Sequence, residues 1–248
     1  MSINYDEASI TYDKYRGYDD GRVESIIDFG EINNATRVLD LGCGTGNVAS
    51  RLSGFLKADI IGLDRSVQML NRARGKSVEV LAAELDENGL PFRDGSFDAV
   101  ISTYVIQHIN NHGRLFSEIY RILSRGRLII LTSSHKQIEN QHPVMKEFFP
   151  GFIDADKGRF PDIPVLETLL ESAGFRNIRH QETFGEQIPI DRGYLEKVKE
   201  KSVSTYHLLP PAEFENGVEK LEEYIDNLSQ PEFRQWWGTL IRADKTGD

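Results

Sequence analysis

The 248-residue chain has a single cysteine, Cys43, so it can form neither an internal disulfide nor a cysteine-rich metal site. No metal is expected. It has no apolar run long enough to span a bilayer, and its opening MSINYDEASI lacks the basic and apolar regions of a secretion signal, which makes a cytoplasmic protein without a membrane partner the expectation. Positive charge is scarce. With 29 Lys and Arg against 39 Asp and Glu, the net charge of -10 argues against broad nucleic-acid binding, which relies on clustered cations. Internal repeats and low-complexity tracts are also missing. What is present is the composition of an ordinary globule, 39% hydrophobic and 27% charged, long enough for one large α/β domain with insertions.

From Arg37 to about Ser133, short β-branched runs alternate with amphipathic segments, the pattern of crossover units on a parallel sheet. The runs are RVLDLG, DIIGLD, VEVLAA, FDAVISTYV and RLIILTS. Between the last two, HGRLFSEIYRILS places Leu115, Phe116, Ile119, Ile122 and Leu123 on one helical face. Further on, PVLETLLESAGF places Val165, Leu166, Leu169, Leu170 and Ala173 on a stripe that stops at Gly174, and a strand in FRNIRHQETF follows. The expected division of this single domain is a helical arm over 1–36, a core over 37–134, the remainder of the core and a linker over 135–190, a helical cap over 191–230 and a final strand over 231–248. Val218, Leu221, Ile225 and Leu228 give the cap its helical spacing. Trp236 and Trp237 alternate on the last strand, and packing is the expected role of both.

The richest local signal is VLDLGCGTGNVASRL, an apolar run followed by three alternate glycines and a helical stretch. A strand, a glycine turn and a helix aim backbone N–H groups and the positive end of the helix dipole at a ligand. Gly42, Gly44 and Gly46 let that ligand approach the main chain. A dinucleotide fold would have glycine where Asn47 stands, and Asp40 precedes the turn, so the pattern is D-x-G-x-G-x-G. Asp64, 24 residues after Asp40 at the end of the next run, can accept from ribose hydroxyls or can head the following helix. Glu84, after the third run, can meet an adenine amino group or stand as a loop acid.

Together VLDLGCGTGN, IIGLDRSVQML, LPFRDGSFDAVISTYVIQHI and EIYRILSRGRLIILT resemble the successive motifs of the class I S-adenosylmethionine-dependent methyltransferases, in particular the small-molecule branch related to ubiquinone and menaquinone methyltransferases. The resemblance covers residues 10 to about 135 and extends to the rest only in general layout. It implies an α/β fold: a Rossmann-like, doubly wound, mostly parallel seven-stranded sheet with an N-terminal helical arm and a helical cap inserted before the last strand. It also implies S-adenosyl-L-methionine as cofactor, S-adenosyl-L-homocysteine as product and a small-molecule methyl acceptor. By this resemblance Asp40 and the Gly42, Gly44 and Gly46 turn lie beside the methionine part of the cofactor, and Asp64 holds the ribose with Arg65 next to it. Met69 helps to sandwich the adenine, Glu84 and Leu85 stand at its edge, and Thr103 approaches the methionine part. Many relatives close an N-terminal tyrosine and arginine over the cofactor. Here YDKYR offers Tyr12, Tyr15 and Arg16 for that role, with Tyr12 also toward the acceptor, and a surface ion pair is the other reading of Arg16. Two features depart from the family pattern: Glu84 replaces the more common Asp before a longer link, and LSRGRL lacks the usual Pro-Gly turn.

His108, in YVIQHI, is the candidate general base for an acceptor that must lose a proton, with a buried structural role as its alternative. Tyr104 either lines the acceptor pocket or packs beneath the cap, and His135 is expected at the rim of the same sheet edge. Several acceptor classes can be set aside. Cys43 alone does not suit arsenite methylation, and STYV lacks the Asn/Asp-Pro-Pro-aromatic motif of amino-methylating nucleic-acid enzymes. A non-catalytic S-adenosylmethionine-binding subunit or sensor stays open, as does, more distantly, a tRNA-modifying enzyme, and the oligomeric state is undetermined by the sequence.

Overall fold

The computed structural model describes residues 12–14, 20–85 and 89–247. Seven strands form one sheet: β1 (Arg37–Leu41), β2 (Asp59–Asp64), β3 (Glu79–Ala82), β4 (Phe97–Thr103), β5 (Leu123–Thr132), β6 (Arg176–Pro189) and β7 (Phe233–Asp244). Their order is β3-β2-β1-β4-β5-β7-β6. β1 runs parallel to β2 and β4, as β2 does to β3 and β4 to β5, whereas β7 is antiparallel to both β5 and β6. The expected doubly wound sheet is therefore present, and the strand order reverses beside β1, where such sheets open a crevice.

Alternation along the central strands supplies both faces. On β5, Leu128 and Ile130 pack on one side and Ile129 and Leu131 on the other. The first side is covered by α4 (His112–Ile122), through Leu115, Phe116, Ile119 and Ile122, and by α8 (Ile163–Ser172). The second is covered by α1 (Asp20–Gly30), α2 (Asn47–Phe55) and α3 (Val67–Gly75). Leu123, expected on the α4 face, is buried but already begins β5.

On α8 the buried stripe is Ile163, Leu166 and Leu170, and Val165 is 51% exposed, contrary to the expected stripe. The Asp162 side chain accepts from the Ile163 N–H and starts the helix there, which sets the phase so that Val165 points away from the sheet.

The cap is helical as expected, with α9 (Arg192–Lys199) and α10 (Pro211–Asp226) between β6 and β7. α10 buries Phe214, Gly217 and Leu221, and Leu228 falls beyond its end. The cap also draws on the segment after β5, where α5 (His135–Glu139), α6 (Pro143–Phe148) and α7 (Gly151–Lys157) lie. Val144, Met145, Phe149 and Phe152 from that segment share one apolar cluster with Tyr194, Leu195, Tyr206 and Phe214. Two insertions, distant in sequence, thus make one cap. Among the described residues no helix is long and apolar enough to cross a membrane.

Candidate active site

The turn after β1 passes through Gly42, Gly44 and Gly46 at φ 72°, 54° and 75°, the left-handed region that favours glycine. The three positions differ in what a side chain would meet. A Cβ on Gly42 would sit 2.2 Å from Val105 Cγ2, and one on Gly46 would sit 2.9 Å from Ala73 Cβ. Among the described residues, one on Gly44 would meet nothing closer than Tyr12 Cε1 at 4.0 Å. Gly44 thus leaves its backbone uncovered among the described residues, whereas Gly42 and Gly46 are demanded by close packing. Cys43 is buried, its Sγ filling the space left by Gly62, and burial pushes its thiol pKa well up.

Asp40 lies fully buried beneath this turn. Its Oδ2 accepts from the N–H of Ala49, an otherwise unpaired donor in the first turn of α2, at 3.1 Å. Its Oδ1 has no partner among the described residues. Burial pushes the Asp40 pKa up to about 7, against the Ala49 hydrogen bond and with help from the charge of Asp64. Asp64, at the end of β2, accepts from Gly44 N–H at 2.8 Å through Oδ2 and from Ser66 N–H at 2.9 Å through Oδ1. Burial raises its pKa as well, and the Ser66 and Gly44 hydrogen bonds hold that rise back. The cap of α3 is Ser66, whose hydroxyl accepts from Met69 N–H, rather than Asp64.

At the carboxyl ends of β1 to β4 one pocket opens. Gly42, Gly44, Asp64 and Arg65 line one part of it, and Met69, Glu84 and Leu85 another. Tyr12, Thr103, Tyr104 and His108 complete the sequence-predicted residues brought together there. Asp40 and Gly46 lie behind the wall rather than on it. Tyr15 and Arg16 fall outside the described residues. His135 is not brought in: its Nε2 pairs with the Phe160 carbonyl at 2.8 Å and its N–H donates to Asp162 at 3.0 Å, so it joins α5 to the loop before α8. The sequence reading also missed Asp13. Its Oδ1 accepts from Thr45 Oγ1 at 2.5 Å and Asn47 Nδ2 at 3.1 Å, and its Oδ2 pairs with Lys76 at 2.8 Å, tying the arm to the glycine turn.

The turn after β4 forms the other wall. Tyr104 holds φ 54°, a strained conformation for an aromatic residue, and its ring meets Trp236 edge-on at 6.2 Å. Gln107 Nε2 donates to the Tyr104 carbonyl at 2.7 Å and lies 3.2 Å from His108 Nε2. The carbonyl fixes the amide nitrogen on that side, so the amide is the donor and His108 Nε2 the acceptor. Gln107 Oε1 is buried without a partner among the described residues. No sequence signal marked Gln107, because its role depends on the loop conformation.

Under the cap lies a second cavity, of about 540 Å³, within the range of small-molecule sites. Tyr104, Gln107 and Ser204 line both it and the first pocket, so the two adjoin at these residues. Trp236 and Trp237, expected to pack, both line this cavity as well. β5 ends at Thr132 opposite Thr239, which leaves the edge of β7 open around both indoles.

A family model described as "Methyltransferase domain" matches residues 39–131. The demethylmenaquinone methyltransferase of Lactiplantibacillus plantarum is 29% identical over 170 residues, 58% of this chain and 72% of that protein. The malonyl-[acyl-carrier protein] O-methyltransferase of Geobacter sulfurreducens is 30% identical over 177 residues, 67% of this chain and 66% of that protein. Among solved structures, a protein of Anabaena variabilis assigned as a methyltransferase of an antibiotic biosynthesis pathway superposes with a TM-score of 0.74 at 21% identity, over 92% of this chain and 98% of that one.

Proposed function

We infer that the chain, which belongs to the class I S-adenosylmethionine-dependent methyltransferases, binds its cofactor in the pocket at the ends of β1 to β4 and methylates a small molecule seated under the cap. The observation that carries this reading is the junction at Tyr104, Gln107 and Ser204, where a pocket with a glycine turn and buried acids adjoins a cavity of acceptor size. The donor set fits the cofactor. Gly44 leaves main chain exposed toward the pocket, and Asp64, Met69, Glu84 and Leu85 line it.

When bound, S-adenosylmethionine supplies an electrophilic methyl group on a sulfonium. The chain's own work is to bind, align and exclude water. Asp64 holds the ribose while its own orientation is fixed by Gly44 and Ser66, which keep the carboxylate from swinging out of the pocket. Arg65 and Thr103 line the same space, and the Asp13 contacts hold the arm, with Tyr12, over Gly44. For an acceptor bearing O–H or N–H, His108 takes the proton at Nε2, displacing the Gln107 amide that occupies it. Tyr104 lies between cofactor and acceptor spaces and orients the acceptor.

The rival reading, a non-catalytic cofactor-binding subunit, would be favoured by a cap that blocked the acceptor space; the cavity counts against it. The test is S-adenosylhomocysteine binding to Asp64→Ala. Loss of charged hydrogen bonds is expected to weaken binding by about tenfold or more while the protein stays folded. Unchanged affinity in a folded variant refutes the ribose assignment.

A further inference from the structure

Resting on the methyltransferase reading, we propose that the acceptor is an elongated, flat anion whose carboxylate or phosphate is held by Arg234 and whose apolar body lies along Trp236. The charge inside the cavity is the first ground. Its described lining includes Arg22, Arg159, Lys197 and Arg234 but a single acid, Asp156, in a chain whose net charge is -10. Asp156 is already committed: its Oδ1 accepts from Arg159 at 2.7 Å and from Thr205 at 2.6 Å.

Arg234 is differently placed. Its two terminal nitrogens donate to neutral groups, Tyr194 Oη at 3.3 Å and Gln141 Oε1 at 3.2 Å. Its Nε is buried with no partner, and no carboxylate lies within ion-pair distance of it among the described residues. Guanidinium keeps its charge at any working pH, and a charge withdrawn from water without a counter-ion is costly. An anionic ligand group resolves that cost, and the planar fork of Arg suits a carboxylate or phosphate.

The shape of the site comes from β7. Residues two apart share a strand face, so Arg234, Trp236 and Gly238 lie in a row. At the far end of that row, a Cβ on Gly238 would lie 3.0 Å from the Tyr104 hydroxyl. The row therefore leads from the cation to the junction with the cofactor pocket over about 13 Å at the usual strand rise. Along it Trp236 offers an indole, with Arg22 over its ring at 4.0 Å. Around the open strand edge, Trp237 stacks on Phe184 at 5.6 Å, and its buried Nε1 has no partner among the described residues. A ligand with a flat body, an acid at one end and the methylated atom at the other matches this order of groups.

The experiment is calorimetry on protein saturated with S-adenosylhomocysteine, using three probes on one ring system: 6-hydroxy-2-naphthoate, its methyl ester and naphthyl phosphate. At least one anion is expected to bind about tenfold or more tightly than the neutral ester, and whichever does so identifies the group as carboxylate or phosphate. Arg234→Gln is expected to abolish that preference without changing affinity for S-adenosylhomocysteine; Arg234→Lys, which keeps the charge but not the fork, should retain part of it. Binding of both anions no tighter than that of the ester, no binding of any probe, or a preference that survives in Arg234→Gln overturns the proposal. The wild-type comparison stands even if a variant does not fold. Failure of folded wild-type protein to bind S-adenosylhomocysteine would instead sink the methyltransferase reading.

Discussion

Replacing Asp40 with Asn should alter how stability depends on pH, by an amount that follows from its burial. In the folded chain the Asp40 pKa is raised from 3.8 to about 7 because the carboxyl lies in the core with one oxygen unpaired. The folded state therefore holds this proton more tightly than the unfolded chain does. The resulting stability is fully present below the unfolded value and is lost as pH rises through the folded one. Over the full interval the loss is of order 4 kcal/mol, and between about pH 5 and about pH 8 it is about 3 kcal/mol. Asp40→Asn keeps an oxygen for the Ala49 N–H and removes the titration. The apo variant should thus lose about 3 kcal/mol less than the wild type over that range, or about 6–12 °C in Tm for a domain of this size. Thermal unfolding of both proteins across the range gives the double difference, in which the other titrating groups largely cancel. Parallel curves for the two proteins would refute the assignment of a buried, proton-holding Asp40.

Other perturbations test other parts of the site. Gly42→Ala places a Cβ 2.2 Å from Val105 Cγ2 at φ 72° and should cost about 2–4 kcal/mol in urea unfolding; a cost under about 0.5 kcal/mol would show that the turn can shift. Asp13→Ala should loosen residues 12–14 from the glycine turn and speed limited proteolysis there, while global stability falls by no more than about 1 kcal/mol because the Lys76 pair is partly exposed; unchanged cleavage would mean that other contacts hold residues 12–14. His108→Ala should lower kcat for O–H or N–H acceptors by about 10²–10⁴-fold with S-adenosylhomocysteine affinity unchanged. Loss of stability alone would make His108 a structural residue.

The nucleotide-binding half was legible because its signals are local. Alternating apolar residues specify the strands, and the acids and glycines fall at strand ends, where the parallel topology brings them together. The turn was read correctly as a turn, yet only the packing of Val105 and Ala73 distinguishes Gly42 and Gly46 from the more open Gly44. Contacts across long stretches of chain were not legible. Asp13 meets Thr45 and Asn47 through a side-chain network that carries no periodicity. Val144 and Phe149 join Tyr206 and Phe214 across more than one secondary-structure unit, which hid half of the cap. Trp236 packs against the core on the α1 side as expected; that both tryptophans also line the cavity was not legible, because the open edge of β7 depends on where β5 stops, a property of the neighbouring strand. His135 sat at the expected sheet edge, but the Phe160 carbonyl turns it away from the pocket.

The most direct test of the central claim is calorimetric titration of the purified protein with S-adenosylmethionine, S-adenosylhomocysteine and NADH. Saturable one-site binding of the first two and none of NADH is the expected result. Preference for NADH, or no binding of either sulfur compound to a folded sample, would contradict it.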